Sequence, residues 1–196
     1  MSAALTIIKD EHRSIAAVLH GLRYLVDEIG AGRMRPDFAL LSAMLRYIQE
    51  FPDKLHHPKE DDYLYRVLRQ RNAAAATLLD ELQAEHVLGR ELTSDLVRAL
   101  QDYQRKGRDG LDEFDRTLRA YTEFHWSHMR KEEEQTLPMA EKALTAEDWK
   151  TIDAAFQSNN DPIIGIDVRR EFRELFRRIA NLAPPPIGVG PETSSR

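Results

Sequence analysis

Seven histidines and a set of carboxylates carry the chemistry open to this chain. Four of them, His12, His56, His86 and His128, fall one in each of four long helical stretches. Each lies on, or beside, the stripe that its helix must turn toward the others. Two are followed four residues later by glutamate, as His56…Glu60 and His128…Glu132. A four-residue step along an α-helix advances about 400°, so both side chains leave one face, with Cβ atoms about 5–6 Å apart. An imidazole and a carboxylate so placed can reach one metal ion, and such donors suit iron, zinc, manganese or copper. Four imidazoles and two bridging carboxylates give each of two ions two nitrogens and two oxygens. A solvent-derived bridge and an open position for a small molecule such as O₂ would complete each sphere.

Any one of these histidines alone reads more simply as a hydrogen-bonded core residue, and a lone His-x-x-x-Glu pair arises by chance on exposed helices. Unpaired ionisable groups are costly to bury, however. Two such pairs plus two further inward histidines at matched positions therefore point to a metal site. Other registers stay open. His57…Asp61 is a His-x-x-x-Asp pair about 100° round the helix. His125 shares the stripe of His128, as an outer hydrogen-bond donor or a replacement ligand. His20 reads as a structural or surface residue. Tyr24, Tyr47, Tyr63 and Tyr121 read first as packing residues and second as groups that orient ligands, and Trp126 and Trp149 as packing anchors.

The elements that position these groups follow from helical periodicity. A first helix from Ser2 to Ile29 carries Leu5, Ile8, His12, Ile15, Leu19, Leu22, Val26 and Ile29 inward, and Gly30 and Gly32 end it. The second opens near Pro36 and carries Leu41, Leu45 and Ile48. Pro52 and Pro58 each lack an N–H, which predicts a kink or break between Phe51 and Pro58. Beyond it Glu60, Tyr63 or Leu64, and Val67 continue the stripe. The third helix, Ala73 to Arg105, turns Leu79, Leu82, His86, Gly89, Thr93, Leu96, Leu100 and Tyr103 inward. The fourth, Asp109 to Leu144, does so with Leu111, Phe114, Leu118, Tyr121, His125, His128, Glu132 and Gln135. Thr145…Asp148 resembles a capping box opening a short helix through Phe156, and an amphipathic helix follows from Asp167 to Ile179. The expected fold is all-α: an antiparallel up-down-up-down four-helix bundle over 1–144, with two additional C-terminal helices packed on it over 145–181. A Pro/Gly/Ser-rich tail over 182–196 is expected to be disordered.

The 196 residues are 42% hydrophobic and 31% charged, with net charge −5. No basic footprint for nucleic acid is visible. There is no cysteine, which excludes disulfides, zinc ribbons, iron–sulfur ligation and thiol catalysis. No phosphate-binding glycine loop, zincin motif or nucleophile elbow is present. The N-terminal stretch lacks an apolar run of signal-peptide length, and no segment approaches the roughly 20 apolar residues of a membrane span. The expectation is a soluble cytoplasmic protein without nucleic-acid or membrane partners.

The order Glu11-His12, His56-His57-Pro58-Lys59-Glu60-Asp61, Glu85-His86, His128-Met129-Arg130-Lys131-Glu132-Glu133 resembles the hemerythrin-like, or HHE cation-binding, family from about Glu11 to Pro138. The stretches 160–165 and 171–176 are similar to a C-terminal extension of some bacterial members. The resemblance implies a non-haem di-iron centre. His12, His56, His86 and His128 would be terminal ligands of two iron ions, and Glu60, Glu132 and a solvent-derived oxygen would bridge them. It implies a protein that binds or senses a small diatomic ligand, O₂ or NO, or a related redox signal. Oxygen-carrying members have a second histidine one turn after that of the third helix, where this chain has Arg90. Four imidazoles therefore point away from reversible O₂ carriage and toward sensing, redox or iron-handling roles. The pattern is not the Glu-x-x-His of ferritin-like bundles, so ferroxidase activity is not expected. Two other readings stand beside this one. The first is iron-sulfur cluster repair under nitrosative or oxidative stress, which the lack of a cysteine-bearing domain disfavours. The second is a metal-bearing structural or partner-binding bundle, with Phe172 and Phe176 on a docking surface. Whether the chain is an enzyme stays open.

Overall fold

A computed structural model describes residues 2–158. The helix expected over 167–179 and the tail from 182 lie outside the described residues. Four long helical paths make the molecule: α1 (Ala3–Gly30); α2 (Phe38–Glu50), continued through α3 (His57–Lys59) and α4 (Arg66–Arg71); α5 (Ala76–Lys106); and α6 (Leu111–Lys131), continued into α7 (Leu137–Ala143). A shorter α8 (Ala146–Gln157) follows. Helices α1 and α5 each pack against α2 and α6, which closes a ring of four. Arg108, in the α5–α6 turn, donates to the Gly30 carbonyl at 3.0 Å. Helices α1 and α5 thus end together and α2 and α6 run against them. No strand occurs among the described residues, and no helix among them is long and apolar enough to cross a membrane.

The inward stripes are those that periodicity demands. Leu5, Ile8, Ile15, Leu19, Leu22, Val26 and Ile29 of α1 are buried, as are Leu79, Leu82, Leu96, Leu100 and Tyr103 of α5. These side chains form two apolar clusters. One gathers Ile15–Ile29, Leu40–Phe51 and the α5–α6 residues from Leu96 to Tyr121; the other gathers Ala4–Ile8, Leu64–Leu82 and Leu137–Phe156. The buried histidines and glutamates fall in the polar layer between them. Apolar packing on both sides keeps water from that layer and strengthens every charge interaction inside it.

The second and fourth paths depart from a plain α-helix where the chemistry lies. Between Phe51 and Pro58, where a kink or break is expected, the regular α-helix ends at Glu50 but the helical path continues. The chain passes through a wide π-helical turn, Pro52–His56, in which the amide of His56 donates to Phe51 five residues back. A second wide turn spans Glu60–Tyr65 and a third Glu132–Thr136. Such turns insert one extra residue and are frequent at functional sites. They also shift the inward stripe by one position. After Glu60 the buried residues are Leu64 and Tyr65 rather than Tyr63, and after Glu132 they are Thr136 and Leu137, while Gln135 is exposed.

Two local devices hold the polar layer in register. The α5–α6 turn uses Gly107 at φ +62° and Gly110, where a Cβ would stand 2.6 Å from the Tyr103 Cα. No other residue fits there without moving the backbone. Helix α8 opens with the expected capping box of Thr145 and Asp148. Its Asp153 accepts from the Ser2 hydroxyl and the Ala4 amide at the start of α1, a cap of about 1 kcal/mol. Lys59, beside the His56–Glu60 pair, donates to the Ala155 carbonyl at 2.9 Å. Helix α8 is thereby tied to both histidine-bearing segments of the first half.

Candidate metal centre

The six side chains expected at a metal centre meet in one buried layer. His12 comes from α1, His86 from α5 and His128 from α6, while His56, Glu60 and Glu132 stand at the ends of the wide turns. All six are buried. Glu60 Oε1 lies 3.3 Å from His56 Nε2 and 3.8 Å from His12 Nε2, while its Oε2 lies 3.6 Å from His86 Nε2. Glu132 mirrors this. Its Oε2 lies 3.3 Å from His12 Nε2, and its Oε1 lies 3.4 Å from His128 Nε2 and 3.8 Å from His86 Nε2. Each carboxylate therefore divides its two oxygens between the pair His12/His56 and the pair His86/His128.

His12 Nε2, His56 Nε2, both Glu60 oxygens and Glu132 Oε2 are buried without a hydrogen-bond partner. Such an atom costs about 1–3 kcal/mol, more when charged. Five of them facing one another cannot be explained as packing. They are the atoms a cation would take, and the nitrogen–oxygen donor set fits one.

The opposite edge of each imidazole is held by an acid. His12 Nδ1 pairs with Glu133 at 2.9 Å, His56 Nδ1 with Glu11 at 2.7 Å, His86 Nδ1 with Asp61 at 3.0 Å and His128 Nδ1 with Glu85 at 2.9 Å. A carboxylate on Nδ1 fixes the ring so that Nε2 points inward. The assignments form a pattern. The acid before each single histidine, Glu11 or Glu85, holds the histidine of its own half's His-x-x-x-Glu pair. The acid after each glutamate, Asp61 or Glu133, holds the single histidine of the other half. The string Glu-His…His-x-x-x-Glu-acid occurs twice and braces itself crosswise.

A fifth imidazole joins the layer. His57 is buried, and His57, Glu60, His86 and His128 offer donor atoms within 4.8 Å of one another; His12, His56 and Glu60 form the other such group. On a regular α-helix His56 and His57 diverge by about 100°, but the wide turns on either side of α3 let both face inward. Asp61 does not accompany His57 as a ligand partner, since it faces the outer edge of His86. His57 stacks on His86 with centroids 4.4 Å apart, and His125 stacks beyond it at 6.0 Å. His125 is buried outside both donor groups, its Nε2 unpartnered. His20 is exposed and rests on Trp126.

Electrostatics divide the histidines. Burial alone pushes His86 down, but the carboxylate of Asp61, hydrogen-bonded to Nδ1, and the nearby carboxylate of Glu132 override it and raise it to about 10. His12 and His56 are likewise raised against burial, His12 chiefly by the neighbouring carboxylates of Glu132 and Glu133, His56 by Glu60 and Glu11. Burial and the neighbouring His86 hold His57 well below the usual imidazole range, and burial with His128 pushes His125 down to about 3. Burial opposes ionisation of Glu132, yet His128, His12 and His86 hold it well below the usual carboxylate range. The layer is built to keep carboxylates ionised among cationic or metal-bound nitrogens.

The sequence reading passed over Glu11, Glu85 and Glu133 as outer partners, and it took its orienting tyrosines elsewhere. Tyr65 is the one that reaches the layer, donating its hydroxyl to Glu132 and stacking on His86. The signal for the acids was present in their fixed places, immediately before a single histidine or immediately after a glutamate. For Tyr65 the signal was lost because the wide turn moves it from the flank to the core.

The fold and this layer define an all-α bundle whose core is a cluster of histidines and glutamates arranged for metal. The hemerythrin HHE cation binding domain model matches residues 3–140. Comparison with curated proteins and with solved structures gives no match. The chain belongs to the hemerythrin HHE cation-binding family and is a helical metal-binding protein.

Proposed function

We propose that the layer holds two iron ions and that the protein binds or senses a small diatomic molecule, O₂ or NO, at one of them. In this reading His12 and His56 hold the first ion and His57, His86 and His128 the second, with Glu60 and Glu132 bridging. The observation that carries it is the division of each glutamate's two oxygens between two separate imidazole groups. A single central ion would draw both oxygens of a carboxylate to one side. The iron ions, when bound, supply reversible ligand binding and one-electron chemistry. The residues do the rest. The four outer acids lock imidazole orientation, and the apolar clusters, with Ile8, Ile15, Leu45 and Leu82, exclude water. Tyr65 holds one oxygen of Glu132 by a hydrogen bond.

The fifth imidazole changes the argument made from Arg90. Helix α5 lacks a second inward histidine, and Arg90 is exposed, but His57 brings a third imidazole to the same ion from the neighbouring path. The count is then two against three. With both glutamates and a solvent-derived bridge, an ion held by His12 and His56 would keep an open position, and one held by His57, His86 and His128 would not. Ligand binding is thus assigned to the His12/His56 side.

The test is metal content per chain in protein purified without chelators, with optical spectra before and after azide. Two irons per chain and a new charge-transfer band with azide are expected. Zinc or no metal, with no iron taken up on anaerobic loading, defeats the reading.

A further inference from the structure

The two repeats of the motif can be laid on each other residue by residue. His56 matches His128, Glu60 matches Glu132, and Asp61 matches Glu133. At the position of His57 the second half has Met129. His57 stands beside His86, whose orienting acid comes from the first half. By the same crosswise relation Met129 stands beside His12. In keeping with that relation, His12 and Met129 both line one groove between α1 and α6.

We infer that this groove is the route by which small uncharged molecules reach the centre, arriving over Met129 at the His12 side. The inference rests on the two-against-three reading above, and independent observations support it. The groove has a volume of about 350 Å³ and opens to solvent. Ala16, Trp126 and Met129 give it an apolar floor, while Arg13 and Arg130 are offset by Glu133 and Glu134, so it favours neither anions nor cations. The protein shell is also thinnest here. Among the acids on the outer imidazole edges, Glu11 is 2% exposed, Glu85 18%, Asp61 26% and Glu133, at the groove, 42%. Met129 completes the argument. A thioether is a weak acceptor beside an imidazole, so where His57 would fill a position on its ion, Met129 would leave the corresponding one available.

The experiment follows NO binding to the iron-loaded full-length protein by stopped flow. Ala16→Phe, projecting into the groove, is expected to slow association by about tenfold with iron content and the final spectrum unchanged; Met129→Ala, widening it, is expected to speed association. Association rates equal to wild type in both variants overturn the route. A second readout needs no iron. In the metal-free chain, dissolved oxygen is expected to broaden the His12 ring proton resonances, and Ala16→Phe to reduce that broadening, because the Phe ring fills the space that oxygen occupies in the groove beside His12. Equal broadening in both proteins overturns the route. A wild-type protein that takes up no iron defeats the metal reading instead, and the oxygen broadening then decides the groove alone.

Discussion

In the first half of the bundle Glu11-His12 on α1 is combined with His56…Glu60-Asp61, and in the second Glu85-His86 on α5 with His128…Glu132-Glu133. The strings are alike, yet the first half runs through two wide turns around Pro52 and Pro58, and the second through one. The extra turn brings His57 inward beside His56, whereas Met129 occupies the matching place beside His128. Five residues past each glutamate stand Tyr65 and Leu137, both buried. Tyr65 gives Glu132 a phenol donor, and both oxygens of Glu60 lack a hydrogen-bond partner. A near-symmetric scaffold thus yields an asymmetric layer through one extra wide turn and two differences of side chain at equivalent positions. In the proposed di-iron centre symmetry would supply the bridging frame, and its departures would decide which ion is open.

The frame itself is broken most severely at the bridges. In the proposed centre Glu60→Ala and Glu132→Ala would each remove an oxygen from both ions, so iron per chain is expected to fall to about a tenth or less of wild type in either variant, read by elemental analysis. His57→Met, which makes the first half like the second, removes a donor from one ion only. Iron affinity is expected to fall by about 10–100-fold with azide binding retained. Equal iron loss in Glu60→Ala and His57→Met would sink the assignment of Glu60 as a bridge. The converse variant, Met129→His, makes the second half like the first. It is expected to keep both irons and to weaken azide binding by about tenfold or more, as a third imidazole takes the open position.

Much of this was legible beforehand. The stripes of α1 and α5, the four inward histidines and both glutamates follow from a 3.6-residue period, because regular helices carry them. What was not legible lies where the period changes. An extra residue per turn cannot be read from composition; Pro52 and Pro58 pointed to a kink or break, and the interruption takes the form of a wide turn. His57 and Tyr65 moved inward and Gln135 outward for that one reason, and of Tyr63 or Leu64 it is Leu64 that is fully buried. The outer acids were missed differently. They pair across helices, with separations such as 45 residues for Glu11 and His56, which no local periodicity reports.

Smaller effects separate the outer acids. Glu11 is buried and Glu133 is largely in contact with solvent. Glu11→Gln is expected to lower iron affinity by about 10–100-fold, and Glu133→Gln by no more than about threefold, because water can replace an exposed partner and not a buried one. Chelator competition reads both. Equal losses would show that burial of the orienting acid is immaterial and that the halves are equivalent in this respect.

The pH dependence is gentler and has a definite sign. Iron displaces protons from imidazoles, so affinity rises with pH wherever the metal-free site is protonated. His86 is raised to about 10, and His12 and His56 are raised as well, whereas His57 is already neutral at pH 7 because it is held low. Between pH 6 and 8 iron affinity is therefore expected to rise by about tenfold per unit for each proton released. The metal-free protein moves the other way. His86 contributes stability that is fully present below its unfolded value of 6.5 and is lost as pH rises through about 10. Denaturant midpoints of the metal-free chain should accordingly fall between pH 7 and 10, while those of the iron-loaded chain hold or rise. His86→Gln, which cannot be protonated, tests the assignment: it should flatten much of the fall in the metal-free series. An undiminished fall in that variant would place the proton on another residue and remove His86 from the set whose charge the bridging glutamates stabilise.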